Sequence, residues 1–288
     1  MSSKPIGLVA HSEKAGAAAL VKALSVEFEK SGRALKFEGK TAGLVGQSTG
    51  VSTAELGRTC DLLVVLGGDG TILKVLHDVG KNIKPIFGIN LGSLGFLTCV
   101  NSSAYLKAVD SIIAKNYVLS RRTLLAVEIQ RKGKIVSEFT GLNDAVISRG
   151  ARSRLIRLRT RIDNSPLTEY NADGLIIATA TGSTAYSLSS GGPILMPDLG
   201  AFVITPICPH VLTNRTVIVS DSSEIEISPC PNQDDIFLTV DGHEPHPIHS
   251  GETVRICKSA LTLPLAMLPG ISFSEILRQK LKWSGSAV

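Results

Sequence analysis

Apolar residues in the first hundred positions of the chain follow two alternating patterns. Short continuous apolar runs at Ile6–Ala10, Leu62–Leu66 and residues 85–90 predict buried strands. Residues 13–30 carry apolar side chains at helical spacing, which predicts an amphipathic helix. Buried strands that alternate with helices are typical of βα units around a largely parallel sheet. We therefore predict an α/β domain over residues 1–120.

The hydrophobic pattern changes after about residue 120. Residues 124–130 and 135–139 have strand character and flank a Lys-Gly turn, which predicts a hairpin. Many short apolar runs between turn residues follow, and they predict an antiparallel β-rich domain over residues 121–270. A helical pattern within residues 271–288 predicts a C-terminal helix that returns to pack on the first domain.

The most informative segment, Gly67-Gly68-Asp69-Gly70-Thr71, directly follows the second apolar run. Its three glycines let a ligand approach the backbone, a carboxylate lies among them, and Thr71 is predicted to cap the helix that follows. A strand, a glycine turn and a helix start together favour phosphate binding. The alternative is an ordinary tight βα turn, which needs only one glycine. We interpret the segment as a phosphate-binding loop of an α/β nucleotide-binding domain.

Two further segments are rich in small or flexible residues. Residues 91–97 follow the strand predicted at 85–90, so they are expected at the carboxyl edge of the same sheet, where the two loops outline a cleft. Residues 179–193 combine glycines with serines and threonines, and Tyr186 offers a ring for stacking. Such a surface suits adenine and ribose; the alternative is a loop whose hydroxyls are solvated.

Composition and charge narrow the class of ligand. With 43% hydrophobic residues, the 288-residue chain can bury a substantial core. The excess of 30 basic over 25 acidic residues favours small anionic ligands and is well short of a nucleic-acid-binding composition. Arg157, Arg159 and Arg161 alternate along a predicted strand, and with 5% aromatic residues we favour a solvated or subunit-contact face over nucleic acid.

The expected compartment is the cytoplasm. The first residues lead straight into a strand, and no apolar segment resembles a signal peptide or a membrane span, so we expect no membrane partner. The five cysteines are odd in number and form no CxxC pair, which favours reduced thiols over a disulfide framework. His243, His246 and His249 lie among prolines, and a solvated loop is favoured over a metal site there.

Four motifs in order along the chain resemble the NAD kinase family: GGDGT, then Asn143-Asp144, then DGLIIATATGSTAYSLSSGGPI, and a later TVDG. The resemblance covers nearly the whole chain. Lipid kinases of the diacylglycerol and sphingosine type carry a motif closely similar to GGDGT, and phosphofructokinases a related one, so the later blocks favour NAD kinase. A lipid kinase and a catalytically silent NAD sensor are the alternative functions.

The resemblance implies transfer of the γ-phosphoryl group of ATP to the adenosine 2′-hydroxyl of NAD, which yields NADP. A divalent cation, Mg²⁺ or Mn²⁺, and a homodimer or homotetramer are implied with it. Asp69 would orient and deprotonate the 2′-hydroxyl, with magnesium coordination as its competing role. The amides of Gly67, Gly68 and Gly70 would stabilise phosphate charge, and Lys74 would add positive charge.

The remaining site residues also follow from the resemblance. Asn143 and Asp144 would hold a ribose or its adenine, although the family usually has glutamate at the second position. Asp173 would favour the oxidised, cationic nicotinamide by Coulomb attraction. At the pyridine end, Arg154 lies where the family often places a basic residue, and Asn171 lies where several members carry arginine. The loop that would clasp adenosine contains Thr184, Ala185, Tyr186 and Ser189. His243 lies where many members have glutamine.

Overall fold

A computed structural model describes residues 4–92, 94–151, 155–211, 213–233 and 235–283. The chain divides into two compact units. Unit 1 comprises residues 1–121 and 263–288, and unit 2 comprises residues 122–262.

Unit 1 is built around a parallel sheet. Its N-terminal elements are β1 (Ile6–Ala10), α1 (Ala17–Lys30), β2 (Leu35–Phe37), α2 (Gly39–Gly43), α3 (Thr53–Thr59), β3 (Leu62–Leu66), α4 (Asp69–Val79), β4 (Ile86–Asn90), β5 (Val100–Asn101) and α5 (Tyr105–Ile113). The strands run in the order β2-β1-β3-β4, and every neighbouring pair is parallel. β1, β3 and β4 are buried at every position, which explains their continuous apolar sequences. The predicted α/β domain with its parallel sheet is confirmed.

Two helix starts differ from the sequence-based prediction, and both differences have a local cause. The first helix begins at Ala17 because Gly16 has a left-handed φ of 82°, which ends the irregular segment before it. The helix after the second strand begins at Asp69, with Gly68 as its N-terminal cap residue. Thr71 therefore lies inside the first turn of α4, and its predicted role as a helix cap is wrong.

Unit 2 is built from antiparallel strands. They are β6 (Val118–Arg131), β7 (Lys134–Gly141), β8 (Asp144–Arg149), β9 (Ile156–Ile162), β10 (Ser165–Ala172), β11 (Gly174–Thr179), β12 (Ala201–Ile207), β13 (Val217–Ser220), β14 (Ile225–Pro229), β15 (Ile236–Val240), β16 (His246–Ile248) and β17 (Glu252–Met267), with the short helix α6 (Tyr186–Ser189) between β11 and β12. The bounds of β6 reach back into unit 1, and the last residues of β17 belong to unit 1.

The strands of unit 2 form two groups with a common core. One group runs β10-β9-β14-β17, and β6 pairs with both β17 and β7, which gives the predicted hairpin. The other runs β13-β12-β11-β8-β15-β16 and is antiparallel throughout. A cluster of twenty buried side chains, including Tyr170 and Phe202, draws members from both groups. The predicted antiparallel β domain is confirmed.

The exposed arginines of β9 lie opposite glutamates on the neighbouring strands. Arg157 and Arg159 lie 3.7 and 3.6 Å from the carboxylate of Glu169, and Arg161 lies 3.8 Å from that of Glu226. Buried and exposed residues alternate along the strand, as its sequence predicts. Its positive face is therefore largely offset by paired acids.

The C-terminal helix α7 (Phe273–Leu281) belongs to unit 1, together with the end of β17. Ser272 and Glu275 form a capping box at its start. Ile276 is 2% exposed, and the Phe273 ring lies 6.1 Å from that of Phe96. Within the described part of the chain, no helix combines the length and the apolar composition that crossing a membrane requires.

Burial of Ile276 gives a test of how α7 is attached. Ile276→Ala is expected to lower the free energy of unfolding by about 2–4 kcal/mol, because it removes a buried side chain and leaves a cavity. Gln279→Ala, an exposed change on the same helix, is the control and should stay within about 0.5 kcal/mol of the wild type. Urea unfolding followed by far-ultraviolet circular dichroism measures both. Equal midpoints for the two variants would contradict the observed docking.

Candidate functional site

The GGDGT loop joins β3 to α4, and its glycines differ in the space that surrounds them. A Cβ on Gly67 would lie 2.2 Å from the Thr71 hydroxyl, so this glycine is required by close packing of the first turn. The Gly67 amide donates to the Ile89 carbonyl at 2.9 Å and is therefore already engaged. A Cβ on Gly68 or Gly70 would meet no atom within 4 Å, so these two positions leave the backbone open to a ligand.

The carboxylate of Asp69 is held by the main chain of the loop that follows β4. Its Oδ2 accepts the Phe96 amide at 2.9 Å, and its Oδ1 accepts the Leu97 amide at 3.0 Å. A Cβ on Gly95 would lie only 2.0 Å from Oδ1, so the loop can approach the acid only with glycine there. A carboxylate has about four acceptor positions, and two remain after these bonds. Asp69 is therefore oriented and still able to accept a further hydrogen bond.

Two buried polar side chains, Asn90 and Thr98, hold that loop by hydrogen bonds. The Asn90 Oδ1 accepts the Gly92 amide at 2.8 Å, and its Nδ2 donates to the Thr98 hydroxyl at 3.3 Å. The same hydroxyl accepts the Gly95 amide at 2.8 Å. Sequence reasoning missed both side chains, although an asparagine at the end of an apolar strand is a signal that could have drawn attention to it.

Lys74 lies one turn into α4 and is largely exposed. Its ammonium pairs with Asp78, one turn further along, at 2.9 Å. Any positive charge that Lys74 offers to a ligand is thus shared with that acid.

In unit 2, the Asn143-Asp144 step is fixed by a carboxylate from another strand end. Oδ2 of Asp241 accepts the Leu142 amide at 2.7 Å, and Oδ1 accepts the Asn143 and Asp144 amides at 2.7 and 3.1 Å. Three successive amides that converge on one anion form a nest. In the sequence, Asp241-Gly242 was recognised only as part of the TVDG motif and as a turn, so its contact with the Asn143-Asp144 step was missed.

Asp144 is itself buried, with 5% of its surface exposed. Burial, reinforced by the negative charge of Asp241, raises the pKa of Asp144 to about 7, while a hydrogen bond from the Tyr186 amide opposes the rise. Burial also raises the pKa of Asp241, and the three amides and His243 oppose that rise. Asp241 has three amide donors and Asp144 has one, so the ionised form is favoured more strongly at Asp241. When one of the two carboxyl groups is protonated, we therefore assign the proton to Asp144.

The serines and threonines after β11 divide into two groups. Thr179, Thr181, Ser183 and Ser187 are buried. The first of these donates from its hydroxyl to the Leu142 carbonyl at 2.6 Å and accepts the Gly182 amide at 3.0 Å. A Cβ on Gly182 would lie 1.9 Å from the Asn143 carbonyl oxygen, so the two predicted binding segments touch through their backbones.

The predicted clasp residues form the accessible part of the same loop. Thr184 and Ala185 are half-buried, and Ser189 is exposed. Tyr186 begins α6 and is 47% exposed, which leaves its ring available for stacking. The structure thus separates the buried hydroxyls, which stabilise the loop, from the residues that can meet a ligand.

The structure shows partners for Asp173 and Asn171, which were predicted at the pyridine end, and for His243. Oδ1 of Asp173 lies 2.5 Å from Nε of Arg149, so the guanidinium offsets the negative charge that was expected to attract a cationic ring. The Asn171 carbonyl accepts the His210 amide at 2.8 Å, and the His243 amide donates to the Val240 carbonyl at 3.0 Å. Arg154 lies outside the described residues.

Within each unit, the structure brings the predicted segments together. In unit 1 the GGDGT loop meets residues 94–97, and in unit 2 the Asn143-Asp144 step meets the loop after β11. Among the described residues, no group of three or more histidine, cysteine, aspartate or glutamate side chains is placed to hold a metal ion. A magnesium ion held by substrate phosphates with one or two protein carboxylates needs no such group.

The raised pKa of Asp144 makes a prediction about stability. Its folded-state pKa of about 7 exceeds the ordinary value near 3.9. Between these two pH values the folded state binds one more proton than the unfolded state, so the free energy of unfolding falls as the pH rises from about 4 to about 7. Asp144→Asn removes this titration. The stability that the variant loses between pH 5 and 8 should therefore be smaller than the wild-type loss by about 2–3 kcal/mol. Urea unfolding at the two pH values measures it.

Asp198→Asn is the control for that experiment, because it changes an exposed aspartate of the same unit. It should lose as much stability as the wild type. Parallel pH dependence in the wild type and Asp144→Asn would contradict the assignment of the proton.

Comparison with known proteins gives consistent matches. The family model of the ATP-NAD kinase N-terminal domain matches residues 8–117, and that of the ATP-NAD kinase C-terminal domain matches residues 142–267. The NAD kinase of Solibacter usitatus is 38% identical over 280 residues, which cover 97% of this chain and 98% of that protein. The NAD kinase of Geotalea daltonii is 45% identical over 223 residues, covering 77% of this chain and 78% of that protein.

Solved structures agree with these matches. Yeast NADH kinase complexed with NADH has a TM-score of 0.90 at 25% identity, covering 100% of this chain and 90% of that chain. The NAD kinase from Archaeoglobus fulgidus in complex with ATP has a TM-score of 0.76 at 24% identity, covers 96% of this chain and 98% of that chain, and supports the fold alone. Because both domain models and full-length relatives match, the resemblance seen in the motifs is confirmed, and the chain belongs to the NAD kinase family of phosphotransferases with an alcohol group as acceptor.

Proposed function

We propose that this chain transfers the γ-phosphoryl group of ATP to the adenosine 2′-hydroxyl of NAD, which yields NADP and ADP. The observation that carries the proposal is the carboxylate of Asp69, oriented by the Phe96 and Leu97 amides beside an open glycine backbone. Family membership supplies the reaction, and this geometry supplies a residue able to perform it.

Asp69 acts on the acceptor in this proposal. Its carboxylate accepts a hydrogen bond from the 2′-hydroxyl and takes the proton as the hydroxyl oxygen bonds to the γ-phosphorus. The bond between that phosphorus and the β–γ bridging oxygen breaks, and its electrons leave with ADP. Such transfers pass through a loose transition state, so orientation contributes more than basicity.

The first turn of α4 acts on the donor. Amides at the start of a helix have no acceptor inside it, and the helix dipole adds partial positive charge. The space that a side chain would fill at Gly68 and Gly70 is open to at least 4 Å, so phosphate oxygens can reach the backbone there. Mg²⁺ or Mn²⁺ bound with ATP would neutralise the charge that develops on the phosphate oxygens.

Unit 2 holds the dinucleotide in this proposal. Asn143 and Asp144 bind a ribose or its adenine, and the clasp residues Thr184, Tyr186 and Ser189 contact adenosine. Asp173 and Asn171 contact the pyridine end, with Asp173 acting as a neutral pair with Arg149. We further propose a homodimer or homotetramer that works in the cytoplasm.

Replacing the acid by its amide tests the assignment of Asp69. Asp69→Asn should lower kcat by about 10²–10⁴-fold, because the amide cannot take the proton. The Kd for NAD should stay within about tenfold, since mainly a transition-state interaction is lost. NADP formation and NAD titration calorimetry measure the two quantities.

Asp110→Asn, on the exposed face of α5, is the matched control and should retain wild-type turnover. Undiminished turnover by Asp69→Asn would overturn the base assignment. Wild-type protein that binds NAD and forms no NADP would favour the sensor, and phosphorylation of a diacylglycerol in place of NAD would favour the lipid kinase.

A second prediction addresses how the acid is held. Gly95→Ala should lower kcat by about 10²-fold, because a Cβ would lie 2.0 Å from Oδ1 of Asp69 and displace the carboxylate. Gly92→Ala is the control in the same loop, since its Cβ would meet the flexible end of Lys14 at 3.3 Å. Steady-state NADP formation compares them. Equal activity in the two variants would show that the position of Asp69 does not depend on this approach.

A further inference from the structure

We propose that Asp241 is a positioning residue for the dinucleotide, which fixes the shape of the Asn143-Asp144 step and sets the charge that this step presents. The inference deepens the proposed function and rests on it, because it concerns how NAD is held. Asp241 belongs to the TVDG motif, but its carboxylate accepts amides from residues 142–144.

Three main-chain amides hold the shape of the Asn143-Asp144 step. Asp241 receives hydrogen bonds from Leu142, Asn143 and Asp144 at 2.7, 2.7 and 3.1 Å, so one carboxylate fixes three consecutive peptide units. Hydrogen bonds to an ionised acceptor are roughly twice as strong as neutral ones. The step between β7 and β8 is thereby held in a single conformation.

The backbone of Asp241 is arranged to make this contact. Its φ is 51°, and that of Gly242 is 70°, so both residues occupy the left-handed region. The His243 amide closes the turn on the Val240 carbonyl at 3.0 Å, and the Asp241 amide donates to the Asp144 carbonyl at 3.0 Å. Aspartate is among the few non-glycine residues that enter this region readily. The turn therefore directs the carboxylate at the amides.

The other side of the step is fixed as well. The Thr179 amide donates to the Asn143 carbonyl at 2.9 Å, and the backbone at Gly182 lies against the same carbonyl. Asn143 thus lies between Asp241 and the loop that leads to Tyr186. A change at Asp241 is expected to disturb both binding segments together.

Asp241 also acts on the charge of Asp144. The three amides favour the ionised form of Asp241, and a negative charge there disfavours a second buried carboxylate beside it. The groups that act on this pair within the described chain are the Tyr186 amide, which favours ionised Asp144, and His243, which favours ionised Asp241. An ionised Asp144 is the form that accepts hydrogen bonds from two ribose hydroxyls. Asp241 therefore sets the pH at which NAD is bound well.

The test is the pH dependence of kcat/KM for NAD in the wild type and in Asp241→Asn. The wild-type value should fall on acidification with a midpoint near pH 7, where Asp144 takes up its proton. In Asp241→Asn the KM for NAD at pH 8 should rise about tenfold, because charge-assisted hydrogen bonds to the step are lost. Its midpoint should move about one pH unit lower, because the repelling charge is gone. The kcat at saturating NAD should stay within about threefold.

Asp144→Asn keeps the test decisive if Asp241→Asn folds poorly, which circular dichroism will show. It should abolish the acid limb near pH 7 while the protein remains folded. An unchanged KM and midpoint in folded Asp241→Asn, or an acid limb that persists in Asp144→Asn, would overturn this inference alone. The absence of NADP formation by the wild type at every pH would instead overturn the proposed function.

Discussion

One carboxylate held by two main-chain amides is the interaction on which the account of unit 1 depends. Asp69 starts α4, and Phe96 and Leu97 follow β4, so the contact joins two loops at the carboxyl edge of one parallel sheet. Amides that donate to a carboxylate orient it without neutralising it by an ion pair. The acid is therefore oriented by the main chain and keeps free acceptor positions, which a hydrogen bond from an alcohol requires.

Unit 2 uses the same device for a different purpose. Asp241 is also a carboxylate that accepts main-chain amides, but it receives three and is enclosed by them. Its free acceptor capacity is correspondingly smaller, so it holds the shape of the neighbouring step. Asp69 keeps acceptor positions that suit the proposed reaction, whereas Asp241 suits the proposed positioning role.

Much of this fold followed from the sequence because its signals were local. The continuous apolar runs at Ile6–Ala10 and Leu62–Leu66 could only be buried strands, and the glycines after the second run marked a turn. The start of α4 was misjudged because the geometry of the turn, and not the presence of a threonine, decides which residue caps a helix. Asp241 accepts amides 97–99 positions earlier in the chain, and no local pattern encodes that contact. The ion pair of Asp173 was likewise not visible in the sequence, since Arg149 reaches it only in the folded chain.

The most direct test of the central claim is a crystal structure of the protein with NAD and a non-hydrolysable ATP analogue. We expect the 2′-hydroxyl to lie within about 3.2 Å of the Asp69 carboxylate, which should still accept the Phe96 and Leu97 amides. An Asp69 carboxylate that coordinates the metal ion, or that has left those amides and turned from the hydroxyl, would contradict it.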